Sequence, residues 1–195
     1  MDTLLRPALT LILVFTVVLG LIYPAAVTVV AQLVFPAAAG GSLVEVDQHA
    51  VGSSLIGQSY AQPGYFWSRP SATAPTPYNA GASTGSNLGT SNPALRQAVR
   101  ERVAALRAAD PGNTRPVPID LVTASGSRLD PHISPEAAYY QVERVARARG
   151  LPEARVRQLV EEHIEGRTLG FLGEPRVNVL LLNLALDRLG ERLRS

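Results

Sequence analysis

The densest reactive chemistry in this sequence is Asp130-Pro131-His132, a carboxylate and an imidazole two residues apart. Such a pair can act as a general base or supply metal ligands. Only three histidines exist, His49, His132 and His163, and none makes the i, i+4 pairing of a helical zinc site. His163 falls on the apolar face of a helical pattern and reads as a core residue. Asp130 reads as a turn cap or the partner of an arginine. The run 81–89, Gly-Ala-Ser-Thr-Gly-Ser-Asn-Leu-Gly, is glycine-rich like a phosphate cradle. It has no lysine and no strongly apolar strand ahead of it, so a P-loop is not expected. Ser53, Ser125 and Ser127 lack the glycine elbow of a hydrolase nucleophile.

Composition closes further classes. Cysteine is absent, which excludes disulfides, thiolate catalysis and Cys-based zinc sites. All 18 cationic side chains are arginine. Without lysine there is no Schiff-base chemistry, no Walker-A lysine and no Asp-Lys-Thr-Gly phosphorylation motif. No catalytic residue and no metal site is expected.

Binding chemistry is better represented. Tyr65-Phe66-Trp67 places three aromatics, including the only tryptophan, directly before Ser68-Arg69-Pro70. The segment reads either as a strand with buried rings or as a partner-facing aromatic patch. Residues 68–93 are mostly Ser, Thr, Gly, Asn, Ala and Pro, the composition of a long loop pinned by its own Asn and Ser side chains. Loops of this length in compact domains tend to be functional or disordered. The partner-binding candidates are therefore Tyr65, Phe66, Trp67, Arg69, Ser86 and Asn87. Residues 134–165 carry Arg144, Arg147, Arg149, Arg155 and Arg157, but Glu136, Glu143, Glu153, Glu161 and Glu162 are interleaved. No basic face emerges, and a nucleic-acid partner is not expected.

These segments need an architecture to hold them. Between Pro7 and Val44 no residue is charged. Residues 7–35 exceed the roughly 20 apolar residues that span a bilayer and predict a transmembrane helix, kinked at Pro24 and ended by Pro36 and Gly40-Gly41. A cleaved signal sequence has an apolar region of only about 7–15 residues, too short for this stretch. Arg6 precedes the span and the next arginine is Arg69. The positive-inside rule then places residues 1–6 in the cytoplasm and residues 36–195 outside it.

Beyond the anchor, residues 44–46 predict a short strand and 116–124 a second one, closed by the turn at 125–128. Asn92 and Pro93 open a helix running to 109, with Leu95, Val99, Val103 and Leu106 as its stripe. Ser134 and Pro135 open a helix to Arg149, which Gly150 terminates. A helix over 152–165 carries Val156, Leu159, Val160, His163 and Ile164 on one face. A last helix starts near Asn178, with Val179, Leu182, Leu186 and Leu189 spaced for burial. The expected fold class is α+β: a single N-terminal transmembrane helix followed by one small mixed α/β extracytoplasmic domain.

Several phrases in fixed order carry a family resemblance. They include 52–58 (GSSLIGQ), 65–73 (YFWSRPSAT), 86–89 (SNLG), 120–127 (DLVTASGS), 129–135 (LDPHISP), Gln141 with 144–146 (RVA), 170–180 (GFLGEPRVNVL) and 182–187 (LNLALD). With them the chain resembles the C subunit of the bacterial Kdp-type potassium-transporting ATPase. One departure is Arg128, where the family pattern usually has glycine; if that position takes φ > 0, arginine there is strained. The resemblance implies an accessory subunit in the cell membrane. Its partners would be a channel-like potassium-translocating A subunit, an ATP-hydrolysing B subunit and a small F subunit. It also implies a proposed role in raising the B subunit's affinity for ATP through a ternary complex with nucleotide; residues 55–58 only faintly echo an ABC signature. The charge bias puts the domain on the side away from ATP. The expected function is therefore assembly and stabilisation of the potassium-uptake complex, with no firmly bound cofactor.

Overall fold

Pro24 governs the course of the first unit. In the computed structural model, which describes residues 2–192, an apolar helical run extends over the 31 residues Leu4–Val34. It is built from α1 (Asp2–Val17), a π-helical segment (Val18–Ile22) and α2 (Tyr23–Val34). Proline cannot donate to the carbonyl four residues back, and its ring crowds that carbonyl. The wider π turn falls immediately before Pro24, where the Tyr23 N–H bonds to the Val18 carbonyl, five residues back. The expected kink site is thus a local rewinding of the helix. Its large side chains are exposed along the whole run, among them Leu13, Phe15, Ile22 and Leu33.

Phe35, before Pro36, leaves the α region at φ −132° and ψ 58°, as pre-proline residues do. One further turn, α3 (Pro36–Ala39), precedes Gly41 at φ 86°. A hairpin follows, β1 (Leu43–Val46) and β2 (His49–Ser53). Asp47 and Gln48 both have positive φ, 50° and 65°, the signs that a two-residue primed turn requires. The sequence pattern predicted β1 but not β2, because Asp-Gln lacks the Asn-Gly or Asp-Gly signal of such turns.

The chain divides into two units, Met1–Val51 and Gly52–Ser195. The second is a mixed α/β domain with α4 (Pro93–Ala109), β3 (His132–Ile133), α5 (Pro135–Arg149), α6 (Glu153–Glu162), β4 (Ile164–Glu165), β5 (Arg176–Asn178) and α7 (Val179–Arg192). Capping chemistry sets the helix ends. Asn92 Oδ1 accepts from the Ala94 N–H at 2.9 Å, and Ser134 Oγ from the Ala137 N–H at 3.1 Å. Gly150 closes α5 at φ 65°, while the Leu151 N–H bonds to the Ala146 carbonyl at 3.0 Å.

The small sheet is antiparallel in the order β3-β5-β4, with Val177 facing both Ile133 and Ile164. Its central strand runs straight into α7. The core lies where α5, α6, α7 and this sheet meet, around Val142, Val145, Val156, Val160, Val177, Leu182 and Leu186, each fully buried.

Two expectations are corrected. Residues 116–124 form no strand; they contain a 3₁₀ turn, Ile119–Leu121. Pro116 and Pro118 remove two ladder donors, the Thr123 N–H and hydroxyl both bond to the Ile119 carbonyl, and Ile119 is 73% exposed. The helix expected over 152–165 is shorter, because β5 captures Ile164 and Glu165 as an edge strand. His163 caps that helix, half-buried, with its ring Nδ1 2.8 Å from the Leu159 carbonyl.

Because Leu186 is fully buried in this core, Leu186→Ala is expected to destabilise the domain by about 3 kcal/mol. Urea unfolding of the full chain in detergent, followed by circular dichroism, checks it; a loss under about 1 kcal/mol would show that α7 is not a core helix.

Candidate functional site

The aromatic segment lies across α5 and α7, and two buried amides hold it. Asn183 Oδ1 accepts from the Phe66 N–H at 2.9 Å, and its Nδ2 donates to the Phe66 carbonyl at 3.0 Å. Gln141 repeats the pattern one residue on, accepting from the Trp67 N–H at 2.7 Å and donating to the Trp67 carbonyl at 3.2 Å. A primary amide offers the same donor and acceptor as a peptide group, so the two side chains replace the neighbouring strand that this segment lacks. Both are 1% exposed, and their full pairing is what makes burial of these polar groups tolerable.

Arginines secure the residues just before. Arg144 donates to the carbonyls of Pro63 at 2.5 Å and Tyr65 at 3.1 Å, and to Gln141 Oε1 at 2.7 Å. Its guanidinium carbon also sits 4.4 Å from the Trp67 ring centroid. Burial pulls the Arg144 guanidinium down to about 10, still charged at neutral pH. Arg149 donates to the Gly64 carbonyl at 2.6 Å, pairs with Asp187 at 2.7 Å and stacks on the Tyr65 ring at 4.4 Å.

The segment then turns towards the reactive pair found in the sequence. Arg69 Nη1 lies 3.7 Å from Asp130 Oδ2. Asp130 Oδ1 accepts from the His132 N–H at 3.0 Å and lies 3.1 Å from His132 Nδ1. Burial pushes the Asp130 carboxyl up. The hydrogen bonds from the His132 side chain and backbone, with the charges of His132 and Arg69, outweigh it and hold the group below the usual carboxylate range. An ionised, fully engaged carboxylate suits a turn anchor better than proton transfer near neutral pH. Both readings made for Asp130, a turn cap and an arginine partner, apply at once. Among the described residues no cluster of three or more His, Asp or Glu side chains converges as metal ligands.

The loop over 68–93 is ordered by its small polar side chains. Thr73 Oγ1 donates to the Thr76 carbonyl and accepts from the Asn79 N–H, and Ser71 Oγ accepts from the Tyr78 N–H. The Tyr78 hydroxyl donates to the Arg69 carbonyl at 2.5 Å, and burial pushes its pKa up to about 12. Gly57 packs behind this ring. A Cβ there would collide with Tyr78 and come within 2.8 Å of the Asp130 carbonyl, so only glycine fits.

Arg128 has φ 61°, the left-handed conformation that its departure from the family's glycine put in question. Its guanidinium donates to the Ala72 and Gly85 carbonyls, tying the two limbs of the loop together.

Of the six partner-binding candidates, four form one continuous feature and two stand apart. Phe66 is fully buried. Tyr65 and Trp67 are half-buried beneath arginines, and Arg69 is half-buried beside Asp130. Ser86 and Asn87 are exposed on the return limb of the loop. Among the described residues no hydrogen bond links them to the aromatic segment. Sequence reasoning missed Gln141, Asn183 and Arg149 as its clamps. The available signal was an amide within an apolar helical stripe, since such a group needs partners brought from elsewhere.

Among the described residues one helix is long and apolar enough to cross a membrane, and with the small α+β domain after it this fits a membrane-anchored protein. A model of the family "K+-transporting ATPase, c chain" (KdpC) matches residues 5–188. The chain is 64% identical over 183 residues to the potassium-transporting ATPase KdpC subunit of Sorangium cellulosum, covering 94% of this chain and 96% of that one. It is 63% identical over 184 residues to the same subunit of Methylococcus capsulatus, covering 94% and 97%. For that of Herpetosiphon aurantiacus the identity is 62% over 189 residues, covering 97% and 98%. The chain therefore belongs to the KdpC family of potassium-transporting ATPase subunits.

Replacing Gln141 or Asn183 by leucine leaves buried backbone groups of Trp67 or Phe66 unpaired. Each change is expected to destabilise the domain by about 1–3 kcal/mol and to raise amide exchange at residues 63–67, measured by hydrogen–deuterium exchange. Unchanged exchange there would show that the amides do not hold the segment. For Asp130 the folded pKa lies below the unfolded one, so its contribution is present above the ordinary carboxylate range and is lost as pH falls through the folded value. Asp130→Asn should therefore lower the urea midpoint at pH 7 and flatten its decline below about pH 4. Parallel profiles for the two proteins would contradict that role.

Proposed function

We propose that this chain is a non-catalytic accessory subunit of an ATP-driven potassium-uptake complex. It assembles and stabilises the channel-like potassium-translocating A subunit and the ATP-hydrolysing B subunit, alongside a small F subunit. Its N-terminus faces the cytoplasm and its domain lies outside, on the side of potassium entry. The observation that carries the reading is the anchor. From residue 7 to residue 34 the helical run carries no charge and its large side chains are exposed, a surface suited to packing beside larger membrane helices as well as lipid. Family membership supplies the complex. The lack of lysine supports the division of labour, since the phosphorylation motif of a P-type pump needs one.

The exposed face of the 65–69 segment and the loop around Ser86 and Asn87 are the surfaces offered to those partners. A rigid, pre-ordered surface loses little entropy on docking.

Deleting residues 52–195 while keeping the anchor should abolish complex assembly and potassium uptake in cells that depend on this system. Normal uptake by the truncated form would sink the proposal. Alkaline phosphatase fused after Ser195 should be active. An inactive phosphatase, paired with a fluorescent cytoplasmic reporter at the same position, would instead place the domain beside ATP and favour a nucleotide-linked regulator of the B subunit.

A further inference from the structure

One cavity of the domain is lined by two arginines and by no acid. It has a volume of about 280 Å³ and lies between the start of the 68–93 loop and α4. Arg69 and Arg102 line it, with Trp67, Ser59, Ser71 and Tyr78, and neither aspartate nor glutamate contributes to its wall. The other grooves differ. That between α6 and α7 contains Glu162 beside its arginines, and that beside His132, which Arg69 also borders, contains Asp120, Asp130, Glu136 and Glu174.

Both guanidiniums have donors to spare. An arginine carries five N–H donors. Among the described residues Arg102 uses one, from Nη1 to the Val122 carbonyl at 2.8 Å. The Arg69 guanidinium makes none; its only ion-pair partner is Asp130 at the loose distance of 3.7 Å, and its Nε is buried without an acceptor. Elsewhere in this domain Arg144, Arg149 and Arg128 are engaged with carbonyls or carboxylates. Burial also pulls the Arg102 guanidinium below its ordinary value, the direction expected where a charge lacks full compensation.

We propose that this cavity binds a single oxyanion group, a phosphate or a carboxylate, between Arg69 and Arg102. Planar guanidiniums match both groups with short charge-assisted hydrogen bonds. The volume sits at the lower edge of small-ligand pockets, room for one such group on a short stem. The ligand reaches the cavity from one of two sources, a free small anion or an acidic side chain of a protein partner. This site goes beyond the assembly role: an oxyanion can bind whether or not the domain organises the complex, so the two readings fail separately.

Trp67 is the only tryptophan of the chain and lines the cavity, so its emission reports occupancy. The full chain in detergent is titrated with inorganic phosphate, and separately with acetate, replacing chloride at constant ionic strength. A saturable change in emission is expected with at least one anion. Arg102→Gln and Arg69→Gln should each weaken it about tenfold or more, the loss of roughly one charge-assisted contact. Arg107→Gln removes the same charge from α4 outside the cavity and should leave it unchanged. Circular dichroism confirms that each variant is folded, and Arg102, half-exposed on its helix, keeps the test open should Arg69→Gln unfold.

Repeating the titration on the intact complex separates the sources. A retained response means the cavity takes free anions; a response present in the isolated chain but lost in the complex means a partner's carboxylate fills it. No saturable response to either anion in the isolated chain, or equal responses in all three variants, overturns the proposal.

Discussion

The domain depends on two side-chain amides that do the work of a missing β-strand. Phe66 and Trp67 follow a turn and pair with no strand, and an unpaired backbone crossing a core would bury several donors and acceptors at a few kcal/mol each. Gln141 and Asn183 remove that penalty for Phe66 and Trp67. Phe66 can then be wholly buried and join α5 to α7 through one shared contact. Those two helices are far apart in the chain, α5 ending at Arg149 and α7 beginning at Val179. The clamp therefore converts a loop into part of the core. A hydrophobic residue in place of either amide would fill the space and leave the backbone unsatisfied.

The same logic explains an all-arginine domain. Lysine is a point charge on a flexible stem, whereas a guanidinium can bond several carbonyls in one plane and stack on a ring at the same time. Arg144 does both, bonding two backbone carbonyls while covering Trp67, and Arg115 bonds the carbonyls of Tyr139 and Tyr140 while lying 5.5 Å from the Tyr140 ring centroid. Irregular segments leave carbonyls that no ladder collects. Multidentate donors collect them, which is how a domain with only short strands keeps long loops fixed without disulfides.

Elements with local signals were legible in the sequence. The anchor, the caps at Asn92 and Ser134, the stop at Gly150 and the apolar stripes of α4, α6 and α7 all follow from residues within a few positions of one another. Apart from β2, whose Asp-Gln turn carries no hairpin signal, the strands that were missed are those made by distant partners. Ile164 and Glu165 continue a helical pattern and become strand only because β5 lies beside them. Residues 116–124 alternate like a strand, but their prolines and the bond from the Ser134 N–H to Asp120 at 2.6 Å favour a turn. For the candidate site, the aromatic run and Arg69 stood out by composition. Their clamps did not, because Gln141 and Asn183 lie 74 and 117 positions away, and an amide within an apolar stripe marks the need for a partner without naming it.

Arg128 shows how the same accounting works at a single strained residue. A left-handed conformation disfavours a side chain with a Cβ by roughly 1–2 kcal/mol relative to the right-handed one, and glycine would avoid that strain. Glycine, however, would leave the Ala72 and Gly85 carbonyls without the donors that Arg128 supplies. Hydrogen bonds to a charged group contribute about 1.5–3 kcal/mol each when well formed, so even one of the two can offset the backbone term. The Arg128 Nε is buried without an acceptor, which takes back part of the gain. The balance favours a more tightly held 68–93 loop at little net change in stability. A position that would relax as glycine is used in this chain to fasten the loop that borders the aromatic segment.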